Sequence, residues 1–274
     1  MPQPHRAPRN PLTTTCAEGP LPLSEPSAAA GGSFACPLIG LAHGSRHPGV
    51  RASVDELMAA ASALGAMPAV GAYLDLAQPD LTAVALELAK QGHRRAVVTP
   101  LLFTEAFHAT VDVPEAVREA ADVSGLELVV SDILGTTDDI GEVVELSMRR
   151  AGIGDPTSVL LFAVGSSSAP ANDAVHDLAD RLGQRRSGAV AAAFGTRSPR
   201  ATDVLPGLPA PVAIVPLFLS PGLLLDPLAE LASERGLTMA PPLGTLAAPV
   251  LVARYRDAVA ATPRTLDAHP AQVG

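Results

Sequence analysis

His43, His108 and Asp75 are the side chains whose types and surroundings point to chemistry. Two imidazoles and a carboxylate suit a divalent transition metal better than calcium or magnesium, which prefer sets made of oxygen alone. His43 ends the apolar run CPLIGLA and is followed by Gly44, Ser45 and Arg46 just before a helical pattern. A ring nitrogen is therefore expected at a strand's carboxyl end, beside backbone N–H groups, a hydroxyl and a guanidinium at a helix start that can hold an anion. His108 lies in PLLFTEAFHATVDVP, soon after a third apolar run, where Asp112 and Pro114 read as the start of the next helix. Asp75 closes the second run, YLD, and can orient an imidazole or share a metal with it. These residues match no HExxH or CxxC spacing, so only the fold can bring them together. Plainer readings stand beside these: a strand-end histidine as a satisfied polar group, Arg46 as a helix-surface charge, Asp75 as a turn residue.

The elements that must position them alternate. CPLIGLA precedes a helical pattern from Val50 to Leu64, PAVGAYL one from Leu81 to Lys90, RAVVTPLLF one from Val113 to Ala121, and LELVVSDIL one from Ile140 to Arg150. Runs that are apolar throughout are what a parallel sheet covered on both faces requires, with right-handed crossovers between strands. In a doubly wound sheet of order 2-1-3-4, the first and third strands are neighbours, and ligands bind at the switch point between them. His43 and His108 would meet there.

The same order then recurs. SVLLFAVG is followed by a helix from Ala171 to Leu182, GAVAAAFG by one near Thr202, PVAIVPLFL by one from Leu223 to Arg235, and a weak LTMAP strand by one from Leu246 to Ala260. LAHGSR aligns with FAVGSSS, AYLDLAQP with AFGTRSP, and TPLLF with VPLFL. The expectation is an α/β protein of two tandem doubly wound domains, each with a four-stranded parallel sheet, at residues 36–154 and 155–262. Val164 and the run Leu223 to Leu225 stand where the first half has His43 and His108, so the scaffold itself does not require histidine there. The GSSS at Gly165 to Ser168, with Ser166 and Ser167 foremost, reads either as a cradle for a carboxylate or phosphate or as a serine-rich helix cap. His47, His93 and His176 are expected to face solvent, and His5 and His269 lie in the tails.

Composition sets the outer bounds. With 47% hydrophobic and 17% charged residues, the chain can bury a large core. Only 3% of residues are aromatic and none is Trp, so that core must be Ala, Val and Leu at close quarters, which favours helix-on-sheet layers. A net charge of −9, from 28 acids and 19 bases, leaves no diffuse basic surface, and nucleic acid is not an expected partner. The long uncharged stretch between Asp203 and Asp226 is broken by Pro206, Pro209, Pro211, Pro216 and Pro221, so neither a membrane span nor a membrane partner is expected. Cys16 and Cys36 make no disulfide framework or zinc site, which fits a reducing, cytoplasmic setting. Residues 1–35 hold seven prolines and no apolar periodicity, and read as a disordered tail without a secretory signal; residues 263–274 read as a second tail. No GxxxxGK[ST] phosphate loop is present to couple ATP hydrolysis to a reaction.

LAHGSR, YLDLAQPDL and PLLFTEAFHATVDVP together resemble the sirohydrochlorin chelatase family, the CbiX and SirB-like ATP-independent chelatases, over roughly Pro37 to Ala260. The family's two catalytic histidines match His43 and His108, which the resemblance also makes the metal ligands, and its acidic residue after the second strand matches Asp75. That position is typically Glu in the family, and the shorter Asp is a departure. The resemblance implies one active site in the first half, with the second half closing over a tetrapyrrole. It implies insertion of ferrous iron or cobalt into sirohydrochlorin on the way to sirohaem or cobalamin, with the metal as substrate and no permanently bound cofactor. Gly44, Ser45, Arg46, Ser166 and Ser167 are the expected substrate-binding residues. Two pyrrole N–H protons must leave as the metal enters, and neutral imidazole can both hold a labile metal and accept a proton near neutral pH. The competing class is a tetrapyrrole- or metal-binding protein that uses the same cleft without turnover.

Overall fold

The strands that carry the first half are short and almost wholly apolar, and the computed structural model, which describes residues 36–105 and 111–261, buries them accordingly. β1 (Leu38–Ala42) and β3 (Arg95–Pro100) lie at the centre of a parallel sheet flanked by β2 (Ala69–Tyr73) and β4 (Glu127–Val130), in the order β2-β1-β3-β4. Leu38 pairs with Ala69 on one side and with Val97 on the other. The second half repeats this with β5 (Ser158–Ala163), β6 (Val190–Phe194), β7 (Val212–Pro216) and the two-residue β8 (Thr238–Met239), in the order β6-β5-β7-β8. Both sheets thus have the order expected from the strand and helix pattern.

Helices α1 (Gly49–Gly65), α2 (Leu81–Lys90), α3 (Val113–Ser124) and α4 (Asp138–Arg150) follow the first four strands, and α5 (Ala169–Gln184), α6 (Ala201–Val204), α7 (Asp226–Glu234) and α8 (Ala248–Ala261) the second four. The helix expected near Thr202 is a single turn that tightens to 3-10 geometry at Leu205–Gly207, because Pro206 has no N–H to continue the ladder. α8 likewise begins after a 3-10 turn at Gly244–Ala247 rather than at Leu246. Among the described residues no helix is long and apolar enough to cross a membrane.

Small residues let helices lie close to the sheet. A Cβ on Gly40 would come within 2.5 Å of the Met58 methyl on α1, and one on Gly71 within 2.7 Å of Val54. Alternate strand residues feed different layers: Ile39, Leu41 and Val98 pack under α2 and α3, and Leu160, Phe162 and Ile214 under α6 and α7. Leu38, Val97, Leu161 and Val215 belong instead to one core shared by both sheets.

That shared core is covered by an exchange of helices. α4 packs against α5 and β7 of the second half, and α8 packs against α1 and β3 of the first. Leu251 on α8 is fully buried there, a burial that contributes about 1.5–3 kcal/mol. Polar contacts hold α8 in place: the Arg254 guanidinium donates to the carbonyls of Ile133 and Leu134, both at 2.9 Å, and pairs with Asp139 at 2.8 Å. The Tyr255 hydroxyl donates to the Cys36 carbonyl at 2.7 Å. Burial works to raise the Asp139 carboxyl, but the Thr137 hydroxyl, the Arg254 guanidinium and the Ile140 N–H outweigh it and hold the group below the usual carboxylate range.

Candidate active site

The functional loops begin where strands end. Leu74 N–H donates to the Ala42 carbonyl at 2.9 Å and Asp75 N–H to the His43 carbonyl at 3.0 Å, which continues the β1–β2 pairing past the sheet and sets the two loops side by side. Gly44 makes that approach possible: its φ is +93°, and a Cβ would stand 1.8 Å from the Asp75 carbonyl oxygen. His43 is exposed at the end of β1, and the exposed Asp75 turns its Oδ1 to the Leu76 N–H at 2.7 Å.

His47, expected in solvent, caps α1 instead, with its side chain only 20% exposed. The Ser45 hydroxyl accepts the His47 N–H at 3.1 Å, and the His47 Nδ1 accepts the Gly49 N–H at 3.1 Å, so the helix start expected to cradle an anion is filled by an imidazole. His47 Nε2 then lies 3.9 Å from Asp226 at the start of α7. His176 is also not solvent-facing: it is half-buried, edge-on to Phe194 at 5.3 Å.

The second half repeats this turn with other side chains. Gly195 and Thr196 N–H groups donate to the Ala163 and Val164 carbonyls, each at 2.9 Å, and Gly165 again has positive φ, at +86°. The Ser166 hydroxyl accepts the Ser168 N–H at 3.1 Å, as Ser45 does for His47. Asn172 takes both main-chain groups of Ser166, each at 2.8 Å, so this cradle is also closed from within. What Ser45 and Ser166 can still offer a ligand is the hydroxyl proton.

A cavity of about 640 Å³ opens at the carboxyl ends of both sheets. Its walls come from His43, Gly44 and Ser45, from the β3–α3 connection at Leu101 to Thr104, from Ser166 and Ser167, and from the β6 and β7 loops. Five of the expected site residues therefore share one space: His43, Gly44, Ser45, Ser166 and Ser167. Arg46 and Asp75 are not among the residues lining it, and His108 lies outside the described residues. Among the described residues there is no group of three or more His, Cys, Asp or Glu side chains able to hold a metal.

Arg197 lines the cavity and was not singled out by its sequence. The signal was available, since aligning AFGTRSP with AYLDLAQP puts a cation in a strand-end turn opposite Leu76. The cavity is otherwise mostly apolar, with Leu223 63% and Val164 45% exposed. Such a space suits a flat apolar body with polar groups at its edge.

The CbiX family model matches residues 37–151. Sirohydrochlorin cobaltochelatase from Sulfurisphaera tokodaii is 27% identical over 73 residues, 27% of this chain and 58% of that protein's length. The structure of SirB from Bacillus subtilis with Fe3+ superposes with a TM-score of 0.70 at 21% identity, covering 82% of this chain and 95% of that one. The structure of CbiX, the terminal enzyme for biosynthesis of siroheme in denitrifying bacteria, gives a TM-score of 0.59 at 20% identity, covering 84% of this chain and all of that one, 100%. At these identities the structural likeness speaks for the fold. The family match lies in the first half, whereas the likeness to solved structures takes in most of both halves.

Proposed function

We propose that this chain, whose residues 37–151 match the CbiX family model, inserts a divalent metal, ferrous iron or cobalt, into sirohydrochlorin. The observation that carries this reading is His43 at a strand end, in the wall of a largely apolar cavity shared by both halves. His108 belongs to the same segment whose residues Leu101 to Thr104 line that cavity, and it takes the role of second imidazole. The division of labour follows the two sequence halves, 36–154 supplying the chemistry and 155–262 the opposing wall.

Metal and macrocycle are both substrates. The metal replaces two pyrrole protons, so each turnover releases one metallated ring and two protons. An imidazole in its neutral form has one lone pair that can hold the arriving metal or receive a departing proton, and two imidazoles can divide those tasks. Asp75, its backbone hydrogen-bonded to His43 and its side chain engaged by the Leu76 N–H, acts on the site from behind rather than on the metal. Ser45 and Ser166 offer hydroxyl protons to substrate carboxylates at the two rims.

The test is conversion of excess sirohydrochlorin. Cobalt, or ferrous iron under anaerobic conditions, is added with a small molar fraction of protein, and the absorption change of the tetrapyrrole is followed. Many turnovers per protein, faster than metal alone, are expected. A spectral change that stops at one equivalent identifies a binding protein and overturns the reading.

A further inference from the structure

Of the described residues that line the cavity, only His43 and Arg197 have ionisable side chains. The other loops present Leu, Val, Phe, Ser and Thr, so a ligand with carboxylates at its edge finds one guanidinium there and no ammonium. Arg197 makes no ion pair or hydrogen bond with a described residue. That sets it apart from Arg95, Arg181, Arg185 and Arg254, which are all bound to carboxylates in this acidic chain.

The backbone that carries Arg197 is held firmly while its side chain is not. Gly195 and Thr196 are tied to the β5 end through their N–H groups, and the Thr196 hydroxyl donates to the Val164 carbonyl at 2.9 Å and the Gly165 carbonyl at 3.0 Å. The Arg200 guanidinium donates to the Gly195 carbonyl, and the Arg200 N–H is accepted by Asp203 at 2.8 Å. A cation on a fixed loop, with its five donors uncommitted, suits two-point capture of a carboxylate, because less freedom is lost when the pair forms. In the matching turn of the first half Leu76 stands in place of arginine, and Asp75 adds a negative charge, so only the second half is built to attract an anion at this point.

We infer that Arg197 is the carboxylate anchor of the cavity, holding the tetrapyrrole by a peripheral carboxylate while Val164 and Leu223 offer apolar contact to the ring. This rests on the chelatase reading for the identity of the ligand, and it assigns substrate affinity and orientation to the half without histidines.

The experiment measures sirohydrochlorin binding by absorption titration, and steady-state insertion of cobalt, for the full chain and for Arg197→Gln and Arg197→Lys. Arg197→Gln is expected to raise Kd and KM by about tenfold or more while kcat moves far less, the pattern of lost uniform binding. Arg197→Lys restores part of the affinity, having the charge without the fork. The peripheral methyl ester of sirohydrochlorin should bind the wild type and Arg197→Gln equally, a result that a merely structural role for the arginine does not produce. An unchanged Kd and KM for Arg197→Gln in a chain that turns over overturns the anchor and leaves the chelatase reading standing. Weakened binding by Arg197→Gln in a chain that never turns over keeps the anchor and overturns the chelatase reading. A wild type that binds neither sirohydrochlorin nor its ester overturns both.

Discussion

The loops after β1 and β2 and those after β5 and β6 share a backbone and differ in chemistry. In each pair the second loop donates two successive N–H groups to the end of the central strand, a glycine of positive φ allows the crossing, and a serine accepts the N–H two residues on. On that common frame the first half carries His43, Asp75 and Leu76, where the second carries Val164, Thr196 and Arg197. Hydrogen bonds between main-chain atoms do not depend on which side chain stands there, so matching turns can keep their shape while one carries an imidazole and a carboxylate and the other apolar side chains with a cation.

The largest effect expected from breaking this asymmetry is on turnover. His43→Ala should lower cobalt insertion by about 10²–10⁴-fold, the range for loss of a positioned acid–base group. Its stability should shift by less than about 0.5 kcal/mol, since the side chain is exposed. Val164→Ala, at the matching position, trims an apolar contact and should raise KM modestly while leaving kcat within a few-fold. Steady-state kinetics and thermal melting of the two variants check this, and equal losses from both would erase the distinction between the halves.

The next effect concerns whether the halves are separate bodies. Leu251→Ala removes a fully buried side chain from the helix that the second half lends to the first, and should cost about 2–5 kcal/mol. Denaturant unfolding should remain a single transition moved to lower concentration, because the core is shared. Two separated transitions would show that the sheets stand independently.

The smallest effect sharpens the same point through pH. Asp139 is held below its ordinary range in the folded chain, so its contribution to stability is present above the unfolded value of about 4 and is lost as pH falls through the lower folded value. Arg254→Met removes one of the groups responsible. Its melting temperature should be lower than wild type at neutral pH, and the gap should narrow below about pH 4. A gap that is constant with pH would mean that Arg254 acts only through the carbonyls of Ile133 and Leu134.

Much of this architecture was legible in the sequence. Runs such as LIGLA and SVLLFA, short and apolar throughout, read as strands buried on both faces, and their alternation with amphipathic stretches leads to the sheet order and to His43 at a strand end. The helix exchange was not legible. α8 has the same apolar face whichever sheet it covers, and the choice is made by pairings such as Arg254 with the Ile133 carbonyl, 121 residues away in the chain. The occupation of both helix starts by His47 and Asn172 escaped for a similar reason: a histidine two residues before a helix, or an asparagine inside one, carries no mark of the N–H that it will accept. Arg197 was hard to read because a single arginine in a polar turn has the same sequence pattern as an ordinary surface charge, and only its alignment with Leu76 marks it.

The exchanged helices also bear on how the chain is made. Synthesis proceeds from the amino terminus, and domains generally fold as units while they emerge from the ribosome. Here the face of α1 and β3 that α8 covers stays bare until residues 248–261 have left the tunnel, although every side chain of the first-half turns is translated long before. The half bearing His43 is therefore completed by α8, the last of the described helices to be translated, and a nascent chain ending before it would present an open apolar surface for a chaperone to hold.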